Sequence, residues 1–437
     1  MSVRVIFVVL ACFSVTDVRA QVPIPLTLEN AIARGVQTSH RLAELDARRE
    51  AAQAAVDGRE AAARPLVSLQ AGYARTNHVA EFIVPSPIGP PRVLYPDVPD
   101  NLRTRVDLQW PIYTAGRTDA LERAARAEAD ALGQDRAGAQ ADLKLEITRA
   151  YWSVVTARAS VRVLDEAVSR MDAHLQDVRN RLNAGLVPPN DVLSTEAQRS
   201  RQQMVLIQAR NLLESATADL RRVTGLPADA PIEIDVALDT PPLPIAAPEP
   251  LIGEARNVRA ERQALETRIQ GAEQRRAAAE AGRLPALALT GGYDYARPNP
   301  RIFPRAAEWR TSWDLGVNVN WSLWDGGRVN AEVAEASANR RALTERLREF
   351  DTTLVSEVRQ RRLDLESALA AILSAEDGVR SATEAQRVVA NRFAAGVATN
   401  TDVIDAQLVL MQAELDRTRA IADARLAAAR LDRVLGR

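Results

Sequence analysis

The chain has 437 residues, is 46% hydrophobic but only 4% aromatic, and carries a net charge of -1 with almost all its basic charge on arginine; Lys144 is the lone lysine. That charge balance argues against a nucleic-acid partner, because no basic stripe exists to neutralise phosphates. The length alone would suggest two or three globular domains, but an internal repeat overrides that count.

The N-terminus reads Met1-Ser-Val-Arg4, an apolar run from Val5 to Val15, then Val18-Arg19-Ala20 before Gln21. This is the pattern of a secretory signal peptide spanning 1–20, with small residues before the cleavage point. A competing reading makes Cys12 a lipidated cysteine, since Val9-Leu10-Ala11-Cys12 resembles a lipobox. Cleavage after Ala20 would leave no cysteine and no disulfide framework. No later stretch approaches the roughly 20 apolar residues of a spanning helix, so membrane contact has to come from strands.

A first helical region is predicted from about Leu28 to Ala63, with an interruption near Gln37-Thr38-Ser39, and Pro65 ends it. From Leu66 the period becomes two, Val67, Leu69, Ala71 and Tyr73 alternating with Ser68, Gln70 and Gly72, which is a strand. The proline-rich stretch Asn77 to Asn101 reads as an irregular loop. A second strand follows through Val106, Leu108, Trp110 and Ile112, and Thr114-Ala-Gly116 leads into a long helix from about Thr118 to Asn183. Its apolar seam, from Leu143 and Ile147 through Val154, Leu164, Met171 and Val178 to Leu182, steps by 4 and 3 in strict alternation, the 3.5-residue period of a coiled coil. At 1.5 Å per residue, roughly 65 residues make a rod of about 100 Å.

Ala184-Gly185 ends that helix, glycine suiting the left-handed position after it. Asn190 is the expected N-cap of a return helix, with Asp191 in its first turn. A connector over 227–250 carries the strand-like Ile232 to Val236. The second half repeats the plan: helix to about Gly282, strand from Leu287 to Tyr295, loop from Arg297 to Arg310, strand from Trp313 to Leu323, a corner at Asp325-Gly-Gly327, long helix, turn at Ala395-Gly396, return helix to Leu435. Trp110, Gly116, Asn180, Gly185, Asp191 and Gly225 meet Trp321, Gly327, Asn391, Gly396, Asp402 and Gly436 at a constant offset of 211, whereas Leu45 and Pro65 meet Leu265 and Pro285 at 220. The chain is therefore expected to comprise a leader, 1–20, a first repeat, 21–226, the connector, 227–250, and a second repeat, 251–437.

Each of the four strands alternates apolar with polar or small residues over about ten residues, the pattern of a transmembrane β-barrel. Tyr73, Trp110, Tyr293, Trp313 and Trp321 fall on the outward face, and Asp107, Asp294, Asp314, Asn318 and Asn320 on the inner one. Four strands cannot close such a barrel, and open edges do not survive in lipid, so several chains have to combine. A soluble coiled-coil protein with one-sided sheets is the plainer alternative.

The strand-to-helix junctions Leu108-Gln-Trp-Pro-Ile-Tyr-Thr-Ala-Gly-Arg117 and Trp321-Ser-Leu-Trp-Asp-Gly-Gly-Arg328, with the turns Arg181-Leu-Asn-Ala-Gly-Leu-Val187 and Arg392-Phe-Ala-Ala-Gly-Val-Ala-Thr-Asn-Thr-Asp402-Val-Ile-Asp405, resemble those of the TolC-like outer-membrane efflux proteins over essentially the whole mature chain. The resemblance implies a mainly α fold with a membrane β-barrel portion: duplicated long coiled-coil helices and four amphipathic strands per chain, assembled as a homotrimeric channel-tunnel. It implies a Gram-negative outer membrane location extending into the periplasm, with the lipid bilayer, a periplasmic adaptor (membrane fusion) protein and an inner-membrane pump as partners. The expected activity is a passive exit duct for tripartite efflux or type I secretion. The alternative is a periplasmic coiled-coil adaptor or structural protein.

The resemblance also places a periplasmic entrance constriction at Asp402, Asp405 and Asp191, where rings of carboxylates would favour cations and crowding would raise some of their pKa values. The plainer reading is that Asp191 and Asp402 complement helix dipoles. Gly185, Leu186 and Val187, with Gly396 and Val397, match the adaptor-docking turns, although chain reversal alone would require the glycines. Family members that lock the entrance with an Arg and a Tyr have Ala398 and Phe393 at those places here. No catalytic, metal or cofactor site is expected: His40, His78 and His174 lie far apart and read as solvated surface residues.

Overall fold

The computed structural model describes residues 24–234, 236 and 247–437. The leader, Cys12 and most of the middle of the connector lie outside the described residues. The chain divides into two compact units, one drawn from Met1–Ser39, Leu143–Ile245 and Leu363–Arg430, the other from His40–Asp142, Ala246–Arg362 and Leu431–Arg437.

The long helices are α3, Arg117–Asn183, and α7, Arg328–Ala394; their return partners are α4, Pro189–Thr224, and α8, Asn400–Leu435. All four boundaries obey the 211-residue offset. The apolar seam of α3 is buried as its period requires: Ile147, Val154, Met171 and Val178 are almost fully enclosed. On α7 the seam is covered at Leu354, Val358, Leu365 and Ile372, while Leu363, Leu373 and Val388 remain exposed.

The shorter helices are α1, Leu28–Thr38, α2, His40–Ala61, α5, Pro248–Val258, and α6, Ala260–Glu280, followed by a 3-10 turn over Ala281–Arg283. The interruption expected at Gln37-Thr38-Ser39 falls at Ser39. The second half, expected as one helix, is broken in the same way at Arg259, 220 residues later, with extended backbone at both breaks (ψ 114° and 115°). Arg259 is buried because its guanidinium donates to the carbonyl of Val434 (3.2 Å) and to Glu261 (3.0 Å). Tertiary partners outweigh a weak local preference for continued helix.

Four strands form one antiparallel sheet in the order β2, β5, β7, β8: Leu66–Arg75, Asp100–Tyr113, Ala286–Arg297 and Arg310–Asn320. The last strand ends at Asn320 rather than Leu323. The Trp321 indole instead donates to Arg283 O (3.1 Å), as Trp110 donates to Ala63 O (3.2 Å) in the first repeat. The register is irregular beside Pro111, which has no N–H for the ladder.

The stretch expected to be an irregular loop holds a two-stranded ribbon, β3, Phe82–Val84, and β4, Arg92–Tyr95. Four of the stretch's six prolines, Pro85, Pro87, Pro90 and Pro91, lie between the strands, and Pro96 and Pro99 follow β4, so none falls inside the ladder. A further pair, β1, Ile24–Pro25, and β6, Ile232–Glu233, runs parallel. It covers only the start of the strand-like piece expected to reach Val236.

Candidate channel sheet and helical turns

The sheet separates its residues by chemistry. Register pairs Leu69 with Val106, Val106 with Tyr293, and Tyr293 with Trp313 across the four strands. One face is thus Val67, Leu69, Tyr73, Val106, Leu108, Trp110, Leu289, Tyr293, Trp313, Leu315, Val317 and Val319. Most of it is bare, Leu69 68% exposed and Trp313 72%, while Leu108 and Leu289 on the central strands are half-buried. The opposite face carries Arg103, Arg105, Asp107, Asp294, Asp314, Asn318 and Asn320, as the alternation predicts.

That polar face is an ion-pair lattice. Arg105 bonds Asp107 (2.6 Å) and Asp314 (3.1 Å) and also reaches Asp294, while Arg301 pairs with Asp314 at 2.9 Å. Asp294 is 1% exposed and also receives Arg103. Gly292 makes room, since a Cβ there would collide with the Arg105 guanidinium. Sequence reasoning placed the aspartates but missed the arginines that neutralise them.

The helical turns are built alike. Gly185 (φ +73°) and Gly396 (φ +77°) occupy the left-handed position. The amides of Gly185 and Leu186 return to Leu182 O and Arg181 O, both 2.9 Å; those of Gly396 and Val397 return to Phe393 O and Arg392 O. Both turns are Schellman motifs, which need glycine. Leu186 and Val397 project outward, 72% and 62% exposed, while Val187 packs against the cluster of Leu175, Val178, Val192, Phe393 and Val403.

The two return helices start differently. Pro188 stands at the N-cap of α4 with Pro189 inside its first turn, so Asn190 is not the cap; proline has no N–H to satisfy there. At α8, Thr399 and Asp402 form a capping box: Thr399 N donates to Asp402 Oδ2 (2.8 Å) and Asp402 N to Thr399 Oγ1 (3.2 Å). Hydrogen bonds to the carboxyl from the Thr399 amide and hydroxyl, aided by the charge of Arg392, hold Asp402 below the usual carboxylate range in the single chain. Asp405 is exposed one turn on and, among the described residues, its carboxylate has no hydrogen bond or ion pair. Asp191 is half-buried; its main-chain oxygen accepts from Ser194, Thr195 and Asn400.

His174 is not a solvated surface residue. It is 8% exposed, with Nε2 at 2.8 Å from Asn400 Oδ1 and its ring edge-on to Phe393 at 5.3 Å. Burial pushes its pKa below the ordinary value, against the opposing effects of Asn400 and Asp177. His40 is exposed, and His78 is largely exposed beside Asp97 at 2.6 Å. Phe393 is buried under the Arg181 guanidinium, 4.5 Å away, and its carbonyl accepts from Arg181 Nη1 (3.2 Å). The repeat itself held the signal for His174 and Asn400: at the 211 offset they face Ala385 and Pro189, so both are departures from the duplicated pattern.

The sequence profile described as "Outer membrane efflux protein" matches residues 32–226 and 251–437. The chain belongs to the outer membrane efflux protein family. The outer membrane protein TolC of Vibrio cholerae serotype O1 is 24% identical over 397 residues, covering 91% of this chain and 87% of that one. TolC of Escherichia coli is 26% identical over 298 residues, 64% of this chain and 58% of that relative's length. The solved outer membrane protein VceC of Vibrio cholerae superposes with a TM-score of 0.78 at 20% identity, over 94% of this chain and 96% of that one, which establishes a shared fold. This member of the family is thus an outer-membrane efflux channel of the TolC type, mostly helical. Its relatives are channels rather than enzymes.

Proposed function

We propose that three copies of the chain close a twelve-stranded barrel in the outer membrane and continue as a helical tunnel through the periplasm, forming a passive exit duct. The observation that carries this reading is the sheet: one face apolar with exposed side chains on all four strands, the other polar, with β2 and β8 each paired on one side only among the described residues. In lipid those edges need partners, and continuing the antiparallel order places β8 of one copy beside β2 of the next. The exposed apolar side chains of α7, and Leu193, Ile207 and Leu212 of α4, are then covered by neighbouring copies. The two repeats, 21–226 and 251–437, act as pseudo-equivalent halves joined by the connector.

Asp402, Asp405 and Asp191 form the cation-favouring entrance, and Gly185, Leu186, Val187, Gly396 and Val397 present the turns to a periplasmic adaptor, which joins the duct to an inner-membrane pump of an efflux or type I secretion system. Single-channel recording of purified protein in a planar bilayer tests this. Cation-selective pores whose selectivity falls in an Asp402→Ala, Asp405→Ala double variant are expected. A product that urea extracts from the membrane fraction would favour the adaptor reading instead.

A further inference from the structure

The two hairpin turns share one buried side chain. Asn400, 3% exposed at the start of α8, points its amide nitrogen at α4: Nδ2 lies 3.1 Å from Asp191 O, Ser194 Oγ and Thr195 Oγ1. With the nitrogen so committed, Oδ1 is left as an acceptor: it lies 3.3 Å from Thr195 Oγ1 of α4 and 2.8 Å from His174 Nε2 of α3, so that ring nitrogen carries the proton. Phe393 of α7 lies across the ring. All four helices of the tip therefore converge on one hydrogen-bonded pair.

We propose that Asn400 and His174 form a proton-sensitive joint: with His174 neutral it positions Asp191 beside the α8 start that carries Asp402 and Asp405, and protonation releases the second hairpin from the first. The proposal rests on the entrance reading of those aspartates. A second proton, on Nδ1, places a full charge in a nearly water-free site. The charged groups acting on it, Asp177 and Arg181, both lie on α3 and oppose each other. Facing it from the other helices are Asn400 of α8, Thr195 and the Asp191 carbonyl of α4, and Phe393 of α7, none of which is a counter-ion. Burial disfavours the charged ring, so the joint is at full strength above the ordinary histidine pKa of 6.5 and weakens as pH falls below it.

The test uses the full chain with Cys12 replaced by serine and spin labels at Leu186→Cys and Val397→Cys, both exposed, in trimers diluted with unlabelled protein. Label separation and single-channel conductance are measured between about pH 8 and about pH 5, bracketing the histidine range. His174→Gln keeps a side-chain N–H donor and cannot take the second proton; Asn400→Ala removes the joint. The native chain is expected to show longer, broader separations and about tenfold more open channel in acid, within the usual range of coupling between two sites. His174→Gln should hold its neutral-pH distances throughout, and Asn400→Ala should resemble the acid form at every pH. Separations that do not change with pH, or an acid response that survives in His174→Gln, would overturn the joint. The entrance reading fails separately, through selectivity indifferent to Asp402→Ala and Asp405→Ala, and the label distances decide the joint even in a pore that never conducts.

Discussion

Arg103 of β5 grips Asp294 of β7 with both arms of its guanidinium, Nε to Oδ1 at 2.5 Å and Nη2 to Oδ2 at 3.0 Å. Arg105 bonds the same carboxylate, which leaves Asp294 with no exposed oxygen to speak of. Arg103 is half-exposed and Arg105 keeps Asp107 and Asp314, so losing Asp294 costs the hydrogen bonds of one buried carboxylate, about 1.5 to 3 kcal/mol, and leaves no buried charge alone. Asp294→Ala is therefore expected to accelerate urea unfolding of the detergent-solubilised protein markedly. Gly292→Ala should act in the same direction but less, because it displaces the end of a flexible arginine; an Asp294→Ala background should absorb most of its effect.

Asp402 and Asp405 lie one turn apart and should separate stability from selectivity. Asp402→Ala breaks the capping box with Thr399, so it should lower the melting temperature slightly, while Asp405→Ala should leave it unchanged; both should reduce cation selectivity. The sign with pH follows from the lowered carboxyl: the contribution of Asp402 is present above its ordinary value near 3.8 and is lost as pH falls through the lower folded value. Melting curves of the native chain and Asp402→Ala should accordingly converge in strong acid.

Two glycines with the same left-handed backbone should respond differently to alanine. A Cβ on Gly185 meets nothing within 4 Å, so Gly185→Ala costs only the backbone strain, about 1 kcal/mol. A Cβ on Gly225 would collide with Thr38, whose hydroxyl already reaches Thr224 O (3.4 Å), so Gly225→Ala should cost at least about twice as much. Comparable losses at the two sites, measured by urea unfolding, would contradict this account.

Tyr151 is 1% exposed and, among the described residues, its hydroxyl has no hydrogen-bond partner. An unsatisfied buried polar group costs about 1 to 3 kcal/mol. Tyr151→Phe should thus raise stability by about 1 kcal/mol, and a loss on the same scale would reveal a partner for the hydroxyl in the assembled channel.

The sequence by itself determined the long helices, the four strands of the main sheet and their faces, because each of these is a periodic property of a single segment, and the duplication, because the same pattern recurs at a fixed offset. A spacing of 4 and 3 can only enclose one stripe of α3, and strict alternation can only send Leu69 and Gln70 to opposite faces. The tertiary structure decided what aperiodic residues do. Nothing local marks Arg259 as the breaker of a helix, or Phe82 to Tyr95 as a ribbon; the first depends on Val434, and the second on a partner strand across a proline turn. His174 and Asn400 are 226 residues apart, and their pairing is set by how four helix ends lie side by side. Polar single residues of this kind contribute no period, only a partner, and a partner exists only once the chain has folded.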